Sequence, residues 1–142
     1  NSKEEFDRVY SCNVLLHLPE LKQPIKNLLS RTSKYCIIRT LVDDHTHLSQ
    51  YLKQDVFDKK GNPTYYNFQN TYSYDYIKKT IKKIGNYKIK FEEDMFNKKL
   101  INDEYKQITR ETKNRGSTRI SDGLQISGSK VFNWKWIIIE KK

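Results

Sequence analysis

The chain has 142 residues, only 36% of them hydrophobic, and a formal net charge of +10. That length suits a single domain or sub-domain spanning residues 1–142 around one core. The longest apolar runs fall far short of the roughly eighteen residues a membrane helix needs, and no stretch has the form of a signal peptide, so no membrane partner is expected and the expected location is cytoplasmic.

Residues 6–20 (FDRVYSCNVLLHLPE) open the informative part of the chain. Phe6–Cys12 is rich in aromatic and β-branched residues, which predicts a buried strand. Asn13 breaks the run, and Pro19 suits the first turn of a helix, where its missing N–H has no partner to lose. Residues 21–31 carry apolar side chains at 21, 25, 28 and 29, the face of a helix. Residues 34–42 (KYCIIRTLV) read as a second buried strand, of the kind found in parallel sheets. Residues 43–70 show no sustained period and contain Gly61 and Pro63. They predict a long excursion over the carboxyl edge of the sheet, with one short helix at residues 47–54.

Ser73 predicts a helix N-cap, and Tyr74, Ile77, Ile81 and Ile84 form the apolar face behind it. Gly85 is expected to end that helix at the position where a left-handed residue is favoured. Tyr87–Glu93 alternates apolar and polar, a half-buried strand. Residues 95–128 read as polar and irregular, with a turn or two of helix at 100–108 and poor order at 111–119. The Ser-Gly-rich stretch 115–128 lacks a lysine followed by Ser or Thr after its glycines, so it reads as a mobile connection, not a phosphate loop. Residues 130–140 (KVFNWKWIIIE) form the closing strand.

Cys12 and Cys36 both fall in predicted strands and read as buried reduced thiols, a disulfide between neighbouring strands being the alternative. Their spacing to histidines does not suggest zinc. The segment DDHTH, residues 43–47, lacks a third fixed ligand, so no metal is expected. The positive charge comes from 21 lysines and only six arginines. Arginine is the usual choice for bidentate phosphate contacts. Lys78, Lys79, Lys82 and Lys83 lie opposite the Ile face of their helix, the pattern of a solvated surface.

The opening segment resembles class I S-adenosylmethionine-dependent methyltransferases. There a phrase of the form FD-x-V-x-x-x-x-x-L-x-HL closes the central strand, and Phe6, Asp7, Val9, Leu15, His17 and Leu18 match it. The succession strand, helix, strand, loop, helix, strand, loop, strand is similar to the second half of that domain. The resemblance implies an α/β fold: a partial Rossmann-like methyltransferase sheet, mostly parallel, with an antiparallel last strand and helices packed on it. It implies the strand order first, second, fourth, third.

It also implies a site at the carboxyl ends of the strands. Ser11, Cys12 and Asn13 would line the methionine end of the cofactor. Arg39, Asp43, His45, Tyr65 and Tyr66 would border the methyl acceptor. His17 would be the candidate general base. The Gly-rich cofactor loop and the ribose-binding carboxylate of the family are not matched anywhere in the chain. The expectation is therefore the carboxyl-terminal half of a domain, inactive alone and holding no cofactor tightly. Its partners would be the missing amino-terminal half and, through the Phe6–Cys12 edge, a second copy. The alternative is a non-catalytic basic module that binds RNA or another acidic polymer through lysine and tyrosine surfaces.

Overall fold

The structure, a computed structural model, describes residues 4–52, 56–94, 118–121, 123–127 and 130–142. In chain order the elements are β1 (Phe6–Cys12), a 3-10 turn η1 (Leu15–His17), α1 (Lys22–Leu29), β2 (Thr32–Asp43), β3 (Gln50–Leu52), β4 (Tyr66–Phe68), β5 (Tyr72–Ser73), α2 (Tyr74–Lys82), β6 (Tyr87–Glu93), β7 (Thr118–Ser121), β8 (Leu124–Ser127), β9 (Lys130–Phe132) and β10 (Trp134–Lys141). They fall into two compact units, Asn1–Glu92 with Lys135–Lys142, and Glu93–Trp134.

The first unit is organised on β2. Cys36, Ile38, Thr40 and Val42 are buried, while Tyr35, Ile37 and Arg39 are half-buried. This two-residue alternation turns one row of side chains to each face of the sheet. The sheet has the order β1-β2-β10-β6, and β5 pairs beside the end of β2. β1 and β5 both run parallel to β2, with Cys12 opposite Arg39 and Asp43 opposite Ser73. One core holds the sheet to its helices. Leu21, Ile25 and Leu29 of the α1 segment and Ile77 and Ile81 of α2 join Cys36, Ile38, Val42, Ile137 and Ile139. Both helices therefore cover the same face. Tyr87, Ile89 and Phe91 of β6 pack against the rim of that core.

The expected α/β Rossmann-like architecture, mostly parallel with helices packed on it, is not what forms. Among the described residues strands make up 49%, and two helices accompany a mixed sheet. The physical reason lies in the connections. Residues 43–70 make a short antiparallel pair, β3 with β4, where a helix was expected. Residues 118–132 make a three-stranded antiparallel sheet of their own. What does hold is the order of the four long strands, first, second, fourth, third.

Several local expectations need correcting. β1 is not a buried strand: it is an edge, with Phe6 49% and Tyr10 76% exposed. No helix begins at Pro19. Leu18 is extended, as a residue before proline tends to be, and α1 starts at Lys22. Gly85 does not end α2 in the left-handed conformation, since only Gly61 and Gly123 among the described glycines have positive φ. Its reason is space: a Cβ there would lie 2.8 Å from Cε2 of Tyr87. The Ser73 cap forms as expected, its hydroxyl accepting from the Tyr76 N–H at 3.2 Å. Lys78, Lys79, Lys82 and Lys83 are all exposed.

The second unit contributes the sheet β7-β8-β9. Ser121 pairs with Leu124, so β7 and β8 form a tight hairpin. An Asp-Gly pair in that position is a strong hairpin signal, and Gly123 takes φ 80°. The stretch expected to be a mobile connection is thus partly a hairpin. The indole N–H of Trp134 donates to Gln125 Oε1 at 2.9 Å, and the Phe132 ring stacks on it at 6.2 Å. The closing strand is split at Asn133 into β9 and β10. The expected helix at 100–108 and most of the stretch 111–119 lie outside the described residues.

The two thiols differ. Cys12 is exposed and Cys36 buried, so only the second is the buried thiol expected. Cys36 stands opposite Val9 and Cys12 opposite Arg39. Three residues of strand, about 10 Å, separate the two along the sheet, too far for a disulfide. Burial pushes the Cys36 thiol from 9.0 up to about 11, against a smaller downward pull from the Thr32 hydroxyl. Burial also raises the Tyr72 phenol, against a smaller opposing pull from Asn70. A raised folded value favours the neutral form, so this stability is complete below the unfolded value and lost as pH climbs. Between pH 9 and pH 11 the loss from Cys36 should reach about 2 kcal/mol. Urea midpoints should fall across that window, and fall less in Cys36→Ala. A flat profile would contradict the burial account.

Candidate functional site

β1 ends alongside β2 while β2 runs on for four more residues, from Arg39 to Asp43, where it pairs with β5 instead. Cys12 faces Arg39 across the pair. At the next residue the chain must leave the sheet, and Asn13 does so with φ 58°. Asparagine tolerates that left-handed conformation better than most residues. Its backbone N–H donates to Arg39 O at 3.1 Å. Its side-chain Oδ1 accepts from Arg39 Nη1 at 2.5 Å. The turn is therefore clipped twice to β2, and the clip orients a guanidinium at the sheet's edge. Asp43 ends β2, exposed, its carboxylate accepting from the Asp44 N–H at 2.8 Å.

Behind this turn lies a buried polar lock. Leu15 and Leu16 of η1 are buried in the core. Leu15 O accepts from the Leu18 N–H at 3.2 Å within the turn, and further donors to these carbonyls come from residues 70 and 72. Tyr72 Oη donates to Leu15 O at 3.1 Å, and the Asn70 N–H donates to Leu16 O at 2.9 Å. The Asn70 side chain is fully used. Nδ2 donates to Leu18 O at 2.9 Å and to Tyr72 Oη at 3.2 Å, and Oδ1 accepts from the Ser49 N–H at 3.2 Å. Asn70 and Tyr72 are each about 1% exposed.

His17, exposed at the end of η1, has Nδ1 2.9 Å from Phe68 O. A carbonyl can only accept, so Nδ1 carries a proton, and in the neutral ring the lone pair is on Nε2. The turn, the arginine and the imidazole are thus held by one framework running from β1 to β5.

The other expected site residues are placed less tightly. Ser11 is half-buried on β1, while Cys12 is exposed at its end. His45, Tyr65 and Tyr66 are exposed on the excursion between β2 and β5. Among the described residues no three His, Cys, Asp or Glu side chains gather as metal ligands would, and no helix is long and apolar enough to cross a membrane. The Asn70–Tyr72 lock was not foreseen, and Tyr72 belongs to the core. The available signal was a pair of amides, Gln69 and Asn70, inside an aromatic cluster, FQNTYSY, where a buried Asn must find several partners.

A groove of about 560 Å³ opens beside β1 on the helix face, lined by Val9, Ser11, Val14, Leu18, Asn27 and Leu28 among others. Comparison with protein-family models, with curated proteins and with solved structures returns no match.

Proposed function

We propose that this chain forms the acceptor side and part of the methyl-donor wall of an S-adenosylmethionine-dependent methyl-transfer site. The observation that carries the reading is the order β1-β2-β10-β6, in which the last strand enters beside the second. The methyltransferase resemblance calls for that order, and it puts the turn at Asn13 against Arg39. S-adenosylmethionine would supply an electrophilic methyl group on a sulfonium.

The chain's own residues do the rest. Ser11, Cys12 and Asn13 offer short polar groups and backbone at a turn already held open by the Arg39 clip. Arg39, Asp43 and His45 give the acceptor side its charge, and Tyr65 and Tyr66 give it exposed aromatic surface. His17 presents Nε2 to take a proton from an acceptor hydroxyl or amine. A Gly-rich loop able to approach a cofactor's backbone-facing side is not found in the 142 residues, so those contacts would come from another segment. With Cys12 exposed and unpaired to any sulfur, a reducing, cytoplasmic setting fits the chain.

Titration of the isolated chain with S-adenosylmethionine tests this. The amides of residues 11–13 and the Arg39 side chain should shift, with a dissociation constant weaker than about 1 mM, under roughly 4 kcal/mol of binding. Asn13→Ala should abolish the response. Shifts confined to other residues would overturn the proposal. Micromolar binding would overturn the account of a partial site.

A further inference from the structure

We infer that the edge of β1, which no other described strand pairs, is a docking surface for a second copy of this chain, paired antiparallel about a two-fold axis midway between the two copies of Tyr10. The argument starts from which backbone groups are open. Asn13 turns its N–H to Arg39 O, and in a parallel ladder alternate residues bond the same neighbour. Ser11 and Val9 therefore bond β2, while Cys12, Tyr10 and Arg8 direct N–H and C=O away from it. At the other end Phe6 donates its N–H to Arg31 O, beyond the irregularity between Phe6 and Arg8. The open edge thus consists of three residues, 8, 10 and 12.

A two-fold normal to the sheet lies midway between the two strands and sets one residue, the centre of the register, opposite its own copy. Only pairings that oppose outward-facing residues make hydrogen bonds. A centre on Val9 pairs residues 8 and 10 and makes about four bonds. A centre on Tyr10 pairs 8 with 12, 10 with 10 and 12 with 8, and makes about six. The Tyr10 register also suits the side chains. Tyr10, 76% exposed, meets its own symmetry mate, an aromatic cross-strand pair. Arg8 meets Cys12, and Val9 meets Ser11, so no like charges oppose one another. Asp7, which would face Asn13, is already neutralised by Lys34 at 2.7 Å. The Lys34 and Ser33 hydrogen bonds hold its carboxyl below the usual range.

The same axis brings the two helix-side grooves, walled by Val9, Val14 and Leu28, face to face. A second copy is therefore matched to this edge in hydrogen bonds, charge and apolar surface at once. The inference concerns the 142-residue chain alone and does not rest on the methyl-transfer reading.

Sedimentation equilibrium and a cross-linking pair test it. The unmodified chain should show a concentration-dependent monomer–dimer equilibrium. Tyr10→Lys, which opposes two ammonium groups at the axis, should weaken it by about tenfold or more. In Arg8→Cys, mild oxidation should join the introduced thiol of one copy to Cys12 of the other, since directly opposed strand residues lie within disulfide range. Within one copy the same two positions are about 13 Å apart. Arg8→Cys combined with Cys12→Ser should not cross-link. Amides 8, 10 and 12 should exchange slowly in the unmodified chain and quickly in Tyr10→Lys. A chain that stays monomeric at high concentration would overturn the inference, and so would a cross-link that survives Cys12→Ser.

Discussion

Asn70→Ala should destabilise the protein by about 3 kcal/mol, the largest effect expected of any single polar substitution in it. Nothing exposed is changed, because Asn70 is 1% exposed. The loss comes from the groups it serves. The Ser49 N–H and the Leu18 carbonyl lose their Asn70 partners at 3.2 and 2.9 Å, and each unmet buried group costs about 1–3 kcal/mol. Asn70→Asp should be no better, since a carboxylate would face the Leu18 carbonyl in a dry site. Urea unfolding measures the cost. The imidazole provides a second readout, because η1 holds His17 against Phe68 O. In Asn70→Ala the His17 Nδ1–H should lose its protection from exchange. A cost below about 1 kcal/mol would show that η1 is secured by Tyr72 alone.

Ile38→Ala should cost about 2–5 kcal/mol, while Tyr10→Ala, on the adjoining strand, should stay within about 0.5 kcal/mol. Ile38 is fully buried in the core that joins both helices to the sheet. Removing three carbons there leaves a cavity that β2, held by β1 on one side and β10 on the other, cannot collapse to fill. Tyr10 lies 76% exposed at the edge. The pair is to be compared by thermal and urea unfolding at a protein concentration low enough to keep the chain monomeric. Equal costs would mean that β1 is covered more completely than its exposure indicates.

The local elements were legible wherever a short-range rule acts alone. The two-residue alternation of β6 sets its faces whatever lies beside it. The Ile spacing of α2 does the same, and the Ser73 hydroxyl caps its own helix three residues on. The strand order followed from the resemblance carried by Phe6, Asp7, His17 and their neighbours. The site was legible in part: Asn13 announced a turn, and the resemblance implied that Arg39 would lie near it. Nothing local announced that Arg39 Nη1 would donate to Asn13 Oδ1 across 26 residues.

Tertiary structure alone decided the rest. The apolar composition of Phe6–Cys12 is that of a buried strand, yet its burial depends on what lies beyond its free edge. By local pattern the excursion 43–70 could have held a short helix at 47–54. It instead pairs β3 with β4 and sends Asn70 and Tyr72 back under η1, through contacts 52 and 57 residues apart in sequence. A propensity measures the cost of a conformation for one residue among its immediate neighbours. Burial, polar satisfaction and layer order are set by groups far away in the chain, and these settled the fold class and the framework of the site.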